Sequence, residues 1–205
     1  MSTPTSRRRL IFCLVAVAAL IALDLWSKAR VFEWLEADPF ALTPDSHGHP
    51  REPLLGDWLG FMRNENYGMA FGRGENMPYI LVFGRIGAVL LLAWLVLKAP
   101  RGRSAYLVAL VLILSGALGN LYDNLFRPIE PADGRPFGPV RDFIDVYFGI
   151  WDWHFPTFNV ADSCISVGAV LLILSGFGAD EEAEQEDAEG LEAAAGEPAT
   201  EQATS

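Results

Sequence analysis

Four long apolar runs dominate this chain and leave few architectures open. They cover Leu10 to Leu23, Met77 to Leu97, Ala105 to Leu121 and Phe158 to Phe177. About 20 apolar residues rising about 1.5 Å each cross a hydrocarbon core about 30 Å thick. The chain is 51% hydrophobic and 20% charged, too apolar for an ordinary soluble domain of 205 residues. The expected fold is a mostly α membrane protein. Four transmembrane helices would carry a small extracytoplasmic loop region that contains β-structure.

Arg7, Arg8 and Arg9 precede the first run, a pattern shared with cleavable signal peptides. No small-x-small site followed by a hydrophilic mature domain appears, and three more apolar runs follow. Cys13 also lacks the small-residue context of a lipid-modified cysteine. The first run therefore reads as a retained helix that continues through Asp24, Trp26 and Lys28. Cys13 and Cys164 both fall inside apolar runs, which suits free buried thiols better than a disulfide framework.

The basic start and the short basic turn from Lys98 to Arg103 belong in the cytoplasm by the positive-inside rule. Both termini are then cytoplasmic. The helix ends carrying Asp24, Asn120 and Asp162, and the two long loops, all face outward. From Asp180 onward the chain holds ten acids and no base, so the net charge of −11 mostly reports this tail. Residues 1–178 are expected to form the membrane domain. Residues 179–205 are expected to form an acidic cytoplasmic tail, disordered or a frayed helix. No basic stripe of the kind nucleic acid needs is present.

Residues 31 to 77 read as an extramembrane loop. It is rich in proline and long enough for the alternating stretch Trp58 to Met62 to build a small sheet on the membrane. His47 and His49 flank one glycine, but no cysteine or third histidine is nearby, so neither a metal nor a cofactor is expected.

Charged residues inside the apolar runs are the natural functional candidates, because an unpaired charge in hydrocarbon is costly. Asp162 lies near the first turn of the fourth helix, either as a site residue or as an interfacial cap. Asp24 and Lys28 are spaced i, i+4 on one helix face, as a site pair or a structural ion pair. Arg85 interrupts the second run and must face the interior or snorkel outward. The third run ends in SGALGNLYDN, whose serine and glycines permit close helix packing.

Four polar clusters therefore share one membrane level. They are Asp24 with Lys28, the stretch Asn64 to Gly68, Asn120 with Asp123, and Asp142 with Asn159 and Asp162. None holds a Ser/His/Asp arrangement or a reactive cysteine. Two aspartates are the strongest chemical pair: adjacent carboxylates cannot both ionise, so they share a proton. One then serves as base on a water while the other hydrogen-bonds a carbonyl. The alternative is a small transport or scaffold protein with a polar pathway through Asp24, Arg85 and Asp162. Membership of Asp142, expected in a loop, separates the two.

The motifs resemble those of the lipoprotein signal peptidases, also called signal peptidase II. They are D-x-x-x-K at Asp24 and Lys28, N-x-G-x-A-F-G from Asn66 to Gly72, G-A-L-G-N-L-x-D from Gly116 to Asp123, V-x-D-F-I from Val140 to Ile144, and F-N-V-A-D-S from Phe158 to Ser163. The resemblance implies a monomeric aspartyl endopeptidase of the bacterial inner membrane, with its site near the outer face and no metal. Its substrates would be prolipoproteins held among membrane lipids, cut just before a diacylglyceryl-modified cysteine. By motif, the catalytic pair is Asp142 and Asp162, with Asp123 the rival to Asp142. Asp24, Lys28, Asn66, Asn120, Asp123 and Asn159 match residues that position substrate or brace the site. The chain departs from the pattern at Asn124, where the family usually has arginine, and Arg127 is the nearby candidate to replace it. Leu25 and Tyr67 stand where glutamine and threonine are common, and the segment from Phe126 to Pro139 is longer than usual.

Overall fold

The computed structural model describes residues 7–37, 42–44, 48–68, 76–100, 102–129 and 134–176. The expected tail, His47 and the Met69–Gly72 part of the glycine motif lie outside the described residues. Helix α1 spans Arg7–Ala37, followed by strands β1 (Thr43–Pro44), β2 (Pro50–Leu55) and β3 (Leu59–Asn66). Helices α2 (Pro78–Lys98) and α3 (Ser104–Phe126) come next, then strands β4 (Val140–Phe148) and β5 (Trp153–Phe158). Helix α4, Val160–Gly176, completes the described fold. Helices α1 to α3 are each long and apolar enough to cross a membrane, and α4 is a shorter apolar helix.

Two expectations need correcting. The loop expected to begin at residue 31 begins later, because α1 continues to Ala37. Val31, Phe32 and Leu35 form an apolar stripe on the last turns and bury it against Phe143, with Phe61 packed alongside. At about 1.5 Å per residue the 31 residues of α1 reach about 46 Å, so its end projects beyond a 30 Å core and carries the sheet. Asp142 lies on strand β4 rather than in a loop. The β-branched and aromatic residues around it suit a pleated, half-buried surface.

The sheet is antiparallel throughout, in the order β1-β2-β3-β4-β5. A register shift between Phe61 and Asn64 sets Asn64 opposite Asp142 and Asn66 opposite Val140. Such a bulge re-aims the side chains that follow it.

Basic side chains tie the helices together at the opposite end. Arg9 Nη1 donates to the Ala99 carbonyl at 3.2 Å and Arg103 Nη2 to the Ser175 carbonyl at 2.8 Å. These bonds satisfy carbonyls that the ends of α2 and α4 leave without intrahelical partners. Counting from this end at 1.5 Å per residue, Asp24 lies about 26 Å along α1 and Asn120 about 24 Å along α3. Both therefore sit at one level, near the sheet. The outward sides of α2 show Ile80, Phe83, Leu90, Leu91 and Trp94, as a lipid-facing helix should.

Small residues bring α3 and α4 into close contact, as the SGALG stretch suggests. A Cβ on Gly116 would collide with the Ala161 carbonyl oxygen, and one on Gly168 would lie 2.8 Å from the Ala109 carbonyl oxygen. Backbone atoms cannot rotate away, so Gly116→Ala is expected to destabilise the fold by about 2 kcal/mol or more. Thermal unfolding in detergent checks this; an unchanged midpoint would show that α3 and α4 are not packed this closely.

Candidate active site

The N-terminus of α4 organises the site. Asn159 ends the β5 connection and caps the helix, its Oδ1 accepting the Asp162 N–H at 2.9 Å. The next orphan donor, the Ala161 N–H, is taken by Asp24 Oδ1 from α1 at 2.9 Å. Asp162 thus occupies the first turn of α4, where the helix dipole favours an anion. Asn120 from α3 donates to Asp162 Oδ1 at 2.7 Å.

Asp142 reaches the same place from the sheet. Asn159 Nδ2 donates to its Oδ1 at 2.7 Å and Asn66 Nδ2 to its Oδ2 at 3.0 Å. Burial, followed by the charge of Asp162, pushes the Asp142 carboxyl up to about 7; the amides of Asn66 and Asn159 and the charge of Lys28 act the other way. Below about pH 7 the Asp142 carboxyl therefore carries a proton.

Both aspartates line one cavity of about 1010 Å³, with Asn66, Asn120 and Arg85 on its wall. Ile165, Val167 and Phe158 add apolar surface on the α4 side. Asp142 and Asp162 thus share one cavity, whereas the transport alternative has no need of Asp142.

Beneath this cavity lies a buried ion network. Lys28 Nζ, 0% exposed, is 2.7 Å from Asp24 Oδ2 and 3.4 Å from Asp123 Oδ2. It also donates to Asn120 Oδ1 at 2.9 Å. Arg141 Nη2 pairs with Asp123 Oδ1 at 2.7 Å, and its backbone N–H donates to Asp123 Oδ2 at 3.0 Å. Two acids and two bases balance here, which buried charges require. Asp24, Lys28 and Asp123 do not line the cavity; they hold Asn120 and the α4 cap in place. Asp123, fully buried between Lys28 and Arg141, is placed differently from Asp142.

Sequence reading missed two features. Arg141 fills the unspecified position of V-x-D-F-I, and only its contact with Asp123 reveals a role. Asp145 pairs with Arg51 Nε at 2.6 Å and with His154 Nδ1 at 2.8 Å, joining β2, β4 and β5 beside the cavity. Its nearness to the V-x-D-F-I motif was the available signal. Arg85 faces inward and donates to Asn124 Oδ1 and, at 3.3 Å, to the Gly68 carbonyl. Arg127 instead pairs with Glu65 at 3.1 Å and does not line the cavity. Among the described residues, no group of three or more His, Cys, Asp or Glu is arranged to hold a metal ion.

Fold and site together define a helical membrane protein with two carboxylates facing one cavity beside a small sheet. The signal peptidase (SPase) II family model matches residues 16–177, and the chain belongs to that family. It is 37% identical over 175 residues to a lipoprotein signal peptidase of Streptomyces coelicolor, covering 85% of this chain and 74% of the relative. It is 34% identical over 184 residues to that of Alteromonas mediterranea, covering 87% of each. The fold is similar to a solved bacterial membrane enzyme, with a TM-score of 0.63 at 22% identity, covering 87% of this chain and 93% of the other.

Proposed function

We propose that this chain removes signal peptides from prolipoproteins as an aspartyl endopeptidase, cutting just before a diacylglyceryl-modified cysteine. The observation that carries the reading is the pair Asp142 and Asp162, each held by asparagine amides at one cavity wall. Asp162, in the first turn of α4 where the helix dipole favours an anion, is assigned the role of base. Asp142, pushed up to about 7, is the protonated one.

Asp162 takes a proton from water as the water oxygen attacks the scissile carbonyl carbon, while Asp142 gives its proton to the carbonyl oxygen. In the resulting tetrahedral diol, Asp162 passes its proton to the amide nitrogen and the C–N bond breaks. One diol hydroxyl returns its proton to Asp142. The products are a signal peptide carboxyl and a free amine on the lipid-bearing cysteine. Asn66, Asn120 and Asn159 hold the carboxylates in register, and Asp24, Lys28 and Asp123 brace them from below.

In this reading all four helices span a bacterial inner membrane, and both termini lie in the cytoplasm. The arginine-rich end is cytoplasmic and the cavity opens near the outer face. The enzyme acts as a monomer whose cavity takes one lipid-bearing substrate from the outer leaflet. Residues 1–178 form the peptidase and 179–205 a cytoplasmic tail.

The pH dependence tests the proton assignment. Asp142 must be protonated to act, and its carboxyl is pushed up to about 7, so activity is lost as pH rises through that value. The single-turnover rate on modified prolipoprotein is expected to fall towards tenfold per pH unit above it. A rate still constant at pH about 8.5 would contradict a protonated Asp142.

A further inference from the structure

Arg85 is the one charged residue between Pro78 and Leu97. At 1.5 Å per residue it lies about 20 Å from the Lys98 end of α2, inside the hydrocarbon. Its guanidinium is bound, among the described residues, only by uncharged oxygens, Asn124 Oδ1 and the Gly68 carbonyl. Among the described residues, no carboxylate lies within ion-pair distance of it. A half-buried cation so placed needs an anion nearby.

The charges around it narrow the choice. Lys28 and Arg141 pair with Asp24 and Asp123 in the network below, from which Lys28 also acts on the Asp142 carboxyl. Arg85 lines the cavity with the two aspartates, and the carboxylates that act on its charge are Asp162 first, then Asp142 and Asp123. A pair sharing one proton carries one negative charge, and Arg85 supplies one positive charge.

We infer that Arg85 is a positioning residue for the reaction: its guanidinium, held by Asn124, is the counter-charge that keeps the Asp142–Asp162 pair singly ionised. This rests on the aspartyl reading above. Asn124 is itself held, donating to the Gly138 carbonyl at 2.8 Å, which leaves its oxygen to accept from Arg85. Position 124 of α3 thus carries the acceptor, and the guanidinium arrives from α2. Arg127, the candidate suggested by sequence, is engaged with Glu65.

The test is the pH–rate profile for cleavage of diacylglyceryl-modified prolipoprotein by the full chain in detergent. Arg85→Gln should move the whole profile to higher pH, by up to about one unit, since removing an opposite charge from the shared cavity raises the carboxyls. Between about pH 7 and 8 the variant should then keep its kcat where the wild type loses it, with KM little changed. Arg85→Lys keeps the charge and should hold the profile in place at a reduced rate. Arg85→Gln with Asn124→Arg should return it towards the wild-type position. A slower Arg85→Gln enzyme with an unmoved profile, or a lysine variant displaced as far as the glutamine one, would overturn the inference. If Arg85→Gln does not insert, Asn124→Arg alone decides: a second cation should move the profile to lower pH, and an unmoved profile overturns the inference. Failure of the wild-type chain to cleave would instead strike the peptidase reading itself.

Discussion

Replacing Asp142 or Asp162 with asparagine is expected to lower the cleavage rate by about 10³-fold or more, with membrane insertion unchanged. Each substitution keeps the side chain's size but removes the oxygen that exchanges a proton with water or substrate. Asp123→Asn is the informative contrast. Asp123 is fully buried between Lys28 and Arg141 and is absent from the cavity wall. Its loss should leave two bases facing one acid and cost about 3 kcal/mol or more of stability. Per folded molecule it should cleave better than either of the other variants. Near-normal turnover by Asp142→Asn or Asp162→Asn would sink the assignment, and a silent but stable Asp123→Asn would move it to Asp123.

The second large effect concerns lipid. The cavity holding Asp142 and Asp162 lies at the sheet end of the helices, with apolar α4 residues Ile165 and Val167 on its wall. In the orientation proposed above, a substrate whose acyl chains stay in the outer leaflet would present its cysteine near this level. The acyl chains contribute about 0.8 kcal/mol per buried CH₂ to membrane partitioning, much of which only concentrates the substrate. The remainder orients the bond before the cysteine, where a misplacement of about 1 Å can cost about 10²-fold in rate. Unmodified prolipoprotein, inserted at equal surface density, is therefore expected to be cleaved at least about 10²-fold more slowly. Equal rates would refute lipid-dependent positioning and point to a general signal peptidase.

The helices were legible because membrane crossing is a local property of sequence. Runs such as Met77 to Leu97 need no tertiary contact to be recognised, and α2 covers nearly the same residues. Asp162 stands out as an acid beside an apolar run, whereas Asp142 was singled out only by the V-x-D-F-I motif. What escaped were relations through space. The sheet register that sets Asn64 opposite Asp142 depends on a bulge between Phe61 and Asn64, which no periodicity announces. Asp24 and Lys28 read equally as a site pair or an ion pair, and the contact of Asp24 with the Ala161 N–H shows a third role, tying α1 to the α4 cap. The apolar stripe Val31, Phe32 and Leu35 prolongs α1 only because Phe143 is there to meet it. Arg85 was visible as an anomaly, but its partner Asn124 belongs to another helix.

The central claim is that this chain cuts prolipoproteins before the lipid-bearing cysteine by carboxylate chemistry. The most direct test incubates the purified chain with a diacylglyceryl-modified prolipoprotein in detergent and reads product masses, with and without EDTA. The account predicts one cut, leaving a product that begins at the modified cysteine, at the same rate in both conditions. An uncut substrate, a product that begins elsewhere, or cleavage lost with EDTA and restored by zinc would contradict it.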